Sequence, residues 1–163
     1  MTRLGLLTAC GLILFIIENL FPPVLWFAPY VRLGLSNIAV LFVLLTMGEW
    51  ECMTVAVVKC VLGCAVTGTW YAFAFNIAGG VGGAMTMILL YRYICPKVGV
   101  VAISSAAAVV SNILRTVVGA LVMQTKGLLL QLPVAASLGV LAGMLVGFTC
   151  VLLVKKLPPK LLG

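Results

Sequence analysis

The sequence predicts an all-α integral membrane bundle of about six transmembrane helices, and three observations carry that expectation. Hydrophobic residues make up 64% of the 163-residue chain and charged residues only 8%, against roughly 25% charged in soluble domains. Mean hydropathy is +1.33. The apolar residues are grouped into runs near the roughly 20 residues that a helix needs to cross the hydrocarbon core, with short connections between them. So little polar surface cannot clothe a water-soluble core. No connection is long enough for a second domain, so residues 1–163 are expected to form a single transmembrane domain.

The first run, residues 4–21, follows Arg3 as a signal sequence would. It passes through Glu18 into Pro22 and Pro23 without a small-residue cleavage site, so it is expected to be the first helix of the mature protein. A Pro-rich loop flanked by Trp26, Phe27 and Tyr30 leads to a second span at residues 33–48. An acidic turn, Glu49-Trp50-Glu51, precedes a third at residues 52–68, which is short and contains Lys59. A tight Thr67-Gly68-Thr69 junction opens the fourth span, residues 70–93. The aromatic residues at its start, Trp70, Tyr71, Phe73 and Phe75, suit an interfacial belt. The fifth span covers residues 98–123 and the sixth residues 132–154.

Ten Lys and Arg against three acidic residues would suggest nucleic acid in a soluble protein. Here many of the charges lie between apolar runs and read as topology signals, and no nucleic-acid partner is expected. With a cytoplasmic N-terminus, that side receives Arg3, Arg92, Lys97, Lys155, Lys156 and Lys160, and the outer side only Arg32 and Lys126. Both termini are therefore expected in the cytoplasm. Lys59, nearer the cytoplasmic side of a half-buried or tilted third helix, is a fourth intramembrane candidate beside Glu18, Arg32 and Arg115, with snorkelling to the interface as its alternative.

Glycine supplies packing logic where lipid offers no hydrophobic drive for helix association. Gly139, Gly143 and Gly147 recur every four residues and mark the face along which the last helix packs or, alternatively, self-associates. The run Gly79-Gly80-Val81-Gly82-Gly83 supports two readings: a local helix break lining a cavity, or close packing.

Ionisable groups inside spans are costly and usually face a partner, a cavity or a pathway. Glu18, Arg32 and Arg115 all approach the outer end under this topology. They either converge on a ligand or form a structural ion pair, Glu18 with Arg32 or Arg115. Asn37, Asn76 and Asn112 each precede Ile and place amide groups where no water can satisfy them. Asn112 and Arg115 share one helical face and read as ligand contacts, whereas Asn37 reads as structural. Cys60 and Cys64 lie one helical turn apart, as small apolar packing residues would. There is no His, Asp, Walker-type loop or Asp-rich segment to hold Mg²⁺ against a diphosphate. The expectation is a non-enzymatic protein without a catalytic cofactor or metal.

The run Arg32-Leu33-Gly34-Leu35-Ser36-Asn37-Ile38, with Glu18 and Pro22 before it and Asn76-Ile77-Ala78-Gly79-Gly80 after it, resembles the Gx transporter family. That family is also named heptaprenyl diphosphate synthase component I and is similar to the S components of energy-coupling-factor vitamin transporters. The likeness extends to Pro133, Gly143 and Gly147. The family's His-Asn-Ile-Gly-Gln run is Ser111-Asn112-Ile113-Leu114-Arg115 in this chain, and an Arg there suits a more anionic ligand.

The resemblance implies an S-component-like bundle in a bacterial cytoplasmic membrane. It further implies a transporter whose ligand is a flavin: riboflavin, FMN or FAD. Glu18, Arg32, Asn37, Asn76, Gly79, Gly80, Gly82, Ser111, Asn112 and Arg115 would be the substrate-binding residues. Transport would draw on an energising ATPase module or on a gradient, and with only Gly5 and Ala9 offering the small-residue spacing that such docking uses on the first helix, a solitary transporter is favoured. The alternatives are an auxiliary component of a polyprenyl diphosphate synthase or a structural partner of a membrane electron-transfer complex.

Overall fold

The computed structural model describes residues 2–20, 34–68, 70–94 and 98–156. These residues are almost wholly helical: α1 (Thr2–Leu20), α2 (Asn37–Thr46), α3 (Glu49–Thr67), α4 (Phe73–Ile94), α5 (Val100–Val122) and α6 (Leu132–Lys156). Short 3₁₀ turns, Trp70–Ala72 and Lys126–Gln131, lead into α4 and α6.

Helices α3, α4, α5 and the segment Gly127–Lys156 are long and apolar enough to cross a membrane, whereas α1 and α2 contribute shorter apolar stretches, Leu4–Asn19 and Asn37–Thr46. The protein is thus a helical membrane protein. The ten residues of α2 extend about 15 Å, half of the roughly 30 Å hydrocarbon core. Helix α2 starts four residues later than the hydropathy suggests because Gly34 takes a left-handed φ of +68° and closes a turn in which Asn37 N–H donates to Gly34 O at 2.8 Å. The expected acidic turn is instead the first turn of α3, where Glu49 and Glu51 suit the positive end of the helix. The turn proper is only Met47-Gly48, with Gly48 at φ +126°.

The glycine stripe of α6 packs directly on α5. A Cβ on Gly139 would lie 2.9 Å from Val109 Cα, one on Gly147 2.7 Å from Val101 Cα, and one on Gly143 2.8 Å from Ser104 O. These backbones meet at a separation that only glycine permits, as small-residue packing in lipid requires.

Of the two readings of the glycine run, close packing holds, and α4 continues through it unbroken. Its glycines each receive a neighbour: Gly79 takes Arg115, Gly80 takes Cys60, Gly82 takes Leu114 and Gly83 takes Ser111. The intrinsic cost of glycine in a helix, about 1 kcal/mol each, is offset by these close approaches.

The interior is divided into two halves. One is apolar and joins the beginning of α1 and α5 to the ends of α2, α4 and α6: Leu4, Leu7, Met47, Tyr91, Val100 and Val154 pack around a core of Leu44, Cys52, Met87 and Cys150. Glu49 and Arg92 form an exposed ion pair at this end, 3.5 Å apart. The other half, toward the end of α1 and the starts of α2, α4 and α6, holds the buried polar side chains other than Ser104 and Ser105 of α5.

Candidate functional site

Lys59 lies at the centre of the polar half, 1% exposed. Its Nζ donates to Asn37 Oδ1 at 2.9 Å and to Ser36 Oγ at 3.2 Å, clamping the first turn of α2 onto α3. Lys59 therefore does not snorkel to the interface. A signal for this was present in the sequence: Cys52, Ala56, Lys59, Cys60, Gly63 and Cys64 share the small-residue face of α3, and all are buried. Val57, Val61, Leu62 and Val66 form the bulky face, which is exposed. In lipid the small face is the packing face, so a Lys upon it points inward.

Glu18 accepts a hydrogen bond from Gly34 N–H at 2.6 Å, tying the end of α1 to the turn before α2. The expected ion pair of Glu18 with Arg115 is not formed: the ion pair found among the described residues is Arg92 with Glu49. Arg32, the other expected partner, lies outside the described residues. Glu18 and Arg115 are both near enough to Lys59 for their charges to act on it.

The Asn residues hold helices together. Asn37 is structural, as expected, through Lys59. Asn76 donates to Cys64 Sγ at 3.4 Å, while the Cys60 thiol donates to Asn76 O at 3.5 Å, so α3 and α4 are cross-linked twice. Asn112 donates to Ala135 O on α6 at 3.4 Å, and Thr116 caps the Asn112 carbonyl at 2.9 Å. Ser111 Oγ donates to Gly79 O at 2.7 Å, fastening α5 to α4. Gly80 and Gly82 meet Cys60 and Leu114, not the polar side chains of α5.

Arg115 stands apart from this satisfied network. It is 5% exposed, and its side chain lies along α4 in the space left by the missing side chain of Gly79. Its Nε and Nη1 are enclosed and have no hydrogen-bond partner among the described residues. A buried donor without an acceptor costs about 1–3 kcal/mol, and more when it is charged. Lys59 adds a second positive charge nearby. The chain has only three acidic residues, and the one in this half, Glu18, is engaged by a backbone amide. The site is suited to holding an anion. It lacks the clustered carboxylates of a metal-assisted reaction centre, and no group of three metal-ligating side chains occurs among the described residues.

Trp70 and Phe73, with ring centroids 5.7 Å apart, sit at the start of α4 on the rim of this half. Trp70 is exposed, as an interfacial aromatic residue is.

No curated protein matches the chain. A family model, that of heptaprenyl diphosphate synthase component I, matches residues 7–153. That match takes in α2 to α5 whole and most of α1 and α6, and the chain belongs to the heptaprenyl diphosphate synthase component I family.

Proposed function

We propose that the chain is a non-catalytic membrane component of a polyprenyl diphosphate synthase, binding an anionic ligand while a partner subunit carries out chain elongation. The family's name supplies the substrate class and, in the word component, the partner. One observation carries the non-catalytic role: the carboxylates are dispersed. Glu49 and Glu51 begin α3 at the apolar end of the bundle, and Glu18 is bound to Gly34 in the other half. Mg²⁺ held against a diphosphate needs carboxylates at one place, and this chain offers none. Arg115 and Lys59 supply the complementary property, attraction for a phosphate group.

A second reading is transport of a phosphorylated flavin, FMN or FAD, energised by an ATPase module or a gradient. It is favoured by the charge distribution. With both termini in the cytoplasm, the polar half lies on the extracytoplasmic side, where a transporter meets its solute. Riboflavin has no phosphate and would gain least from Arg115.

Deleting the gene in the native organism separates the two. The first reading expects isoprenoid quinones with shortened or depleted tails and an unchanged flavin distribution. Normal quinones with flavin lost from one side of the membrane would overturn it in favour of the second.

A further inference from the structure

We infer that Arg115 anchors an oxyanion site for a phosphate group from outside the chain, and that Glu18 is the internal charge competing with that ligand. Arg115 is short of acceptors. A guanidinium carries five N–H donors and cannot shed its charge, and in a membrane interior water cannot satisfy it as bulk solvent does. Two of its nitrogens are enclosed without an acceptor, although Arg115 is nineteen-twentieths buried by its 5% exposure.

The neighbouring hydroxyls of α5 point their protons at backbone carbonyls, Ser111 Oγ at Gly79 O and Thr116 Oγ1 at Asn112 O, and neither oxygen accepts from Arg115 Nε or Nη1. Neither Glu49 nor Glu51 is available, since Glu49 pairs with Arg92 at the other end of the bundle and Glu51 belongs to the same helical turn. Glu18 Oε1 accepts from Gly34 N–H, and Glu18 forms no ion pair with Arg115. Among the described residues of this half the formal charge is therefore two cations, Lys59 and Arg115, against one carboxylate. No group among the described residues supplies the missing acceptor, which points to one from outside the chain.

The packing holds this cation in place. Gly79 leaves room for the Arg115 side chain, and Ser111 fastens α5 to α4 at that same glycine. The donor is thus pre-positioned on rigid helices, which limits the entropy lost on binding. The inference deepens the function proposed above and rests on it only in naming a phosphate rather than a carboxylate.

The test uses the full chain in nanodiscs and calorimetric titration with inorganic pyrophosphate, farnesyl diphosphate, FMN and, as a carboxylate control, acetate. Saturable binding of pyrophosphate is expected. Arg115→Gln should weaken it about ten- to hundredfold, the range for losing charge-assisted hydrogen bonds, and Arg115→Lys should recover part of it. Glu18→Gln keeps an acceptor for Gly34 N–H while removing the negative charge, so it should tighten binding about three- to tenfold. Because this variant acts in the opposite direction, it decides the matter even where Arg115→Gln fails to fold.

Tighter binding of farnesyl diphosphate than of FMN identifies a prenyl source for the phosphate, and the reverse identifies a flavin source; both support the site. Binding that is absent, that occurs with acetate alone, or that Glu18→Gln leaves unchanged or weakens would overturn it. Arg115-dependent pyrophosphate binding with normal quinone tails in the deletion strain would refute the synthase role and leave the site standing.

Discussion

Replacing Gly143 by Ala tests the contact on which the α5–α6 pair depends. The new Cβ would lie 2.8 Å from both Ser104 O and Ser105 N, where ordinary van der Waals contact begins at 3.4 Å. Both neighbours are backbone atoms on a rigid helix and cannot rotate away. Helix α6 must therefore retreat by at least 0.6 Å, the difference between the two distances. The retreat also loosens the approaches at Gly139 and Gly147. Overpacking of this kind costs about 1–3 kcal/mol, and unyielding backbone places Gly143 at the upper end. The Gly-to-Ala gain in helix propensity, about 1 kcal/mol, opposes it, leaving a net loss of about 1–2 kcal/mol. Gly5 provides the control: nothing lies within 4 Å of its Cβ position, so Gly5→Ala should be neutral or stabilising by up to about 1 kcal/mol. Unfolding in mixed micelles of increasing SDS fraction, followed by circular dichroism, reads both. Opposite signs are expected. Equal or greater stability of Gly143→Ala relative to wild type would refute the argument.

Gly79→Ala puts a methyl 2.8 Å from Arg115 Cδ and closer still to its Nε and Cγ, so it should displace the guanidinium and weaken pyrophosphate binding about tenfold without changing the charge, as calorimetry would show. Lys59→Met leaves Ser36 and Asn37 without their buried donor, and the loss of about 1–3 kcal/mol should appear as a lower midpoint in the same SDS titration; an unchanged midpoint would mean that the clamp contributes nothing. Gly34→Ala forces a side chain into φ +68° and to within 3.1 Å of Asn37 Nδ2. It should cost about 1–2 kcal/mol and speed hydrogen exchange at the start of α2, and protection equal to wild type would count against the turn described.

The features legible in the sequence were those written as periodicity. Six helices followed from apolar runs, and the α6 packing face followed from Gly139, Gly143 and Gly147. The burial of Asn37, Asn76, Asn112 and Arg115 followed from the rarity of polar groups in membrane spans. The features misread depended on which way a residue faces or on one dihedral angle. Hydropathy treats Leu33, Gly34 and Leu35 as helical, yet the left-handed φ of Gly34 delays α2 to Asn37. The glycine run left a break and close packing both open, because propensity is blind to the neighbours that fill each gap and keep α4 continuous. For Lys59 its place near the cytoplasmic side of a short helix suggested snorkelling, although the small residues around it on α3 marked an inward face. For Glu18 the sequence suggested a cation as partner, and the structure provides a backbone amide, which no pattern of side chains announces.

The central claim is that a phosphate-bearing ligand sits beside Arg115 in the polar half. Photo-crosslinking of the nanodisc protein with a benzophenone-bearing farnesyl diphosphate, followed by peptide mapping, tests it most directly. The account expects label in the polar half, on α5 near Arg115 and on the first turns of α4, and its loss on competition with pyrophosphate. Label confined to lipid-facing residues such as Leu141, Leu145 and Phe148, which are exposed on α6, and insensitive to pyrophosphate would contradict it.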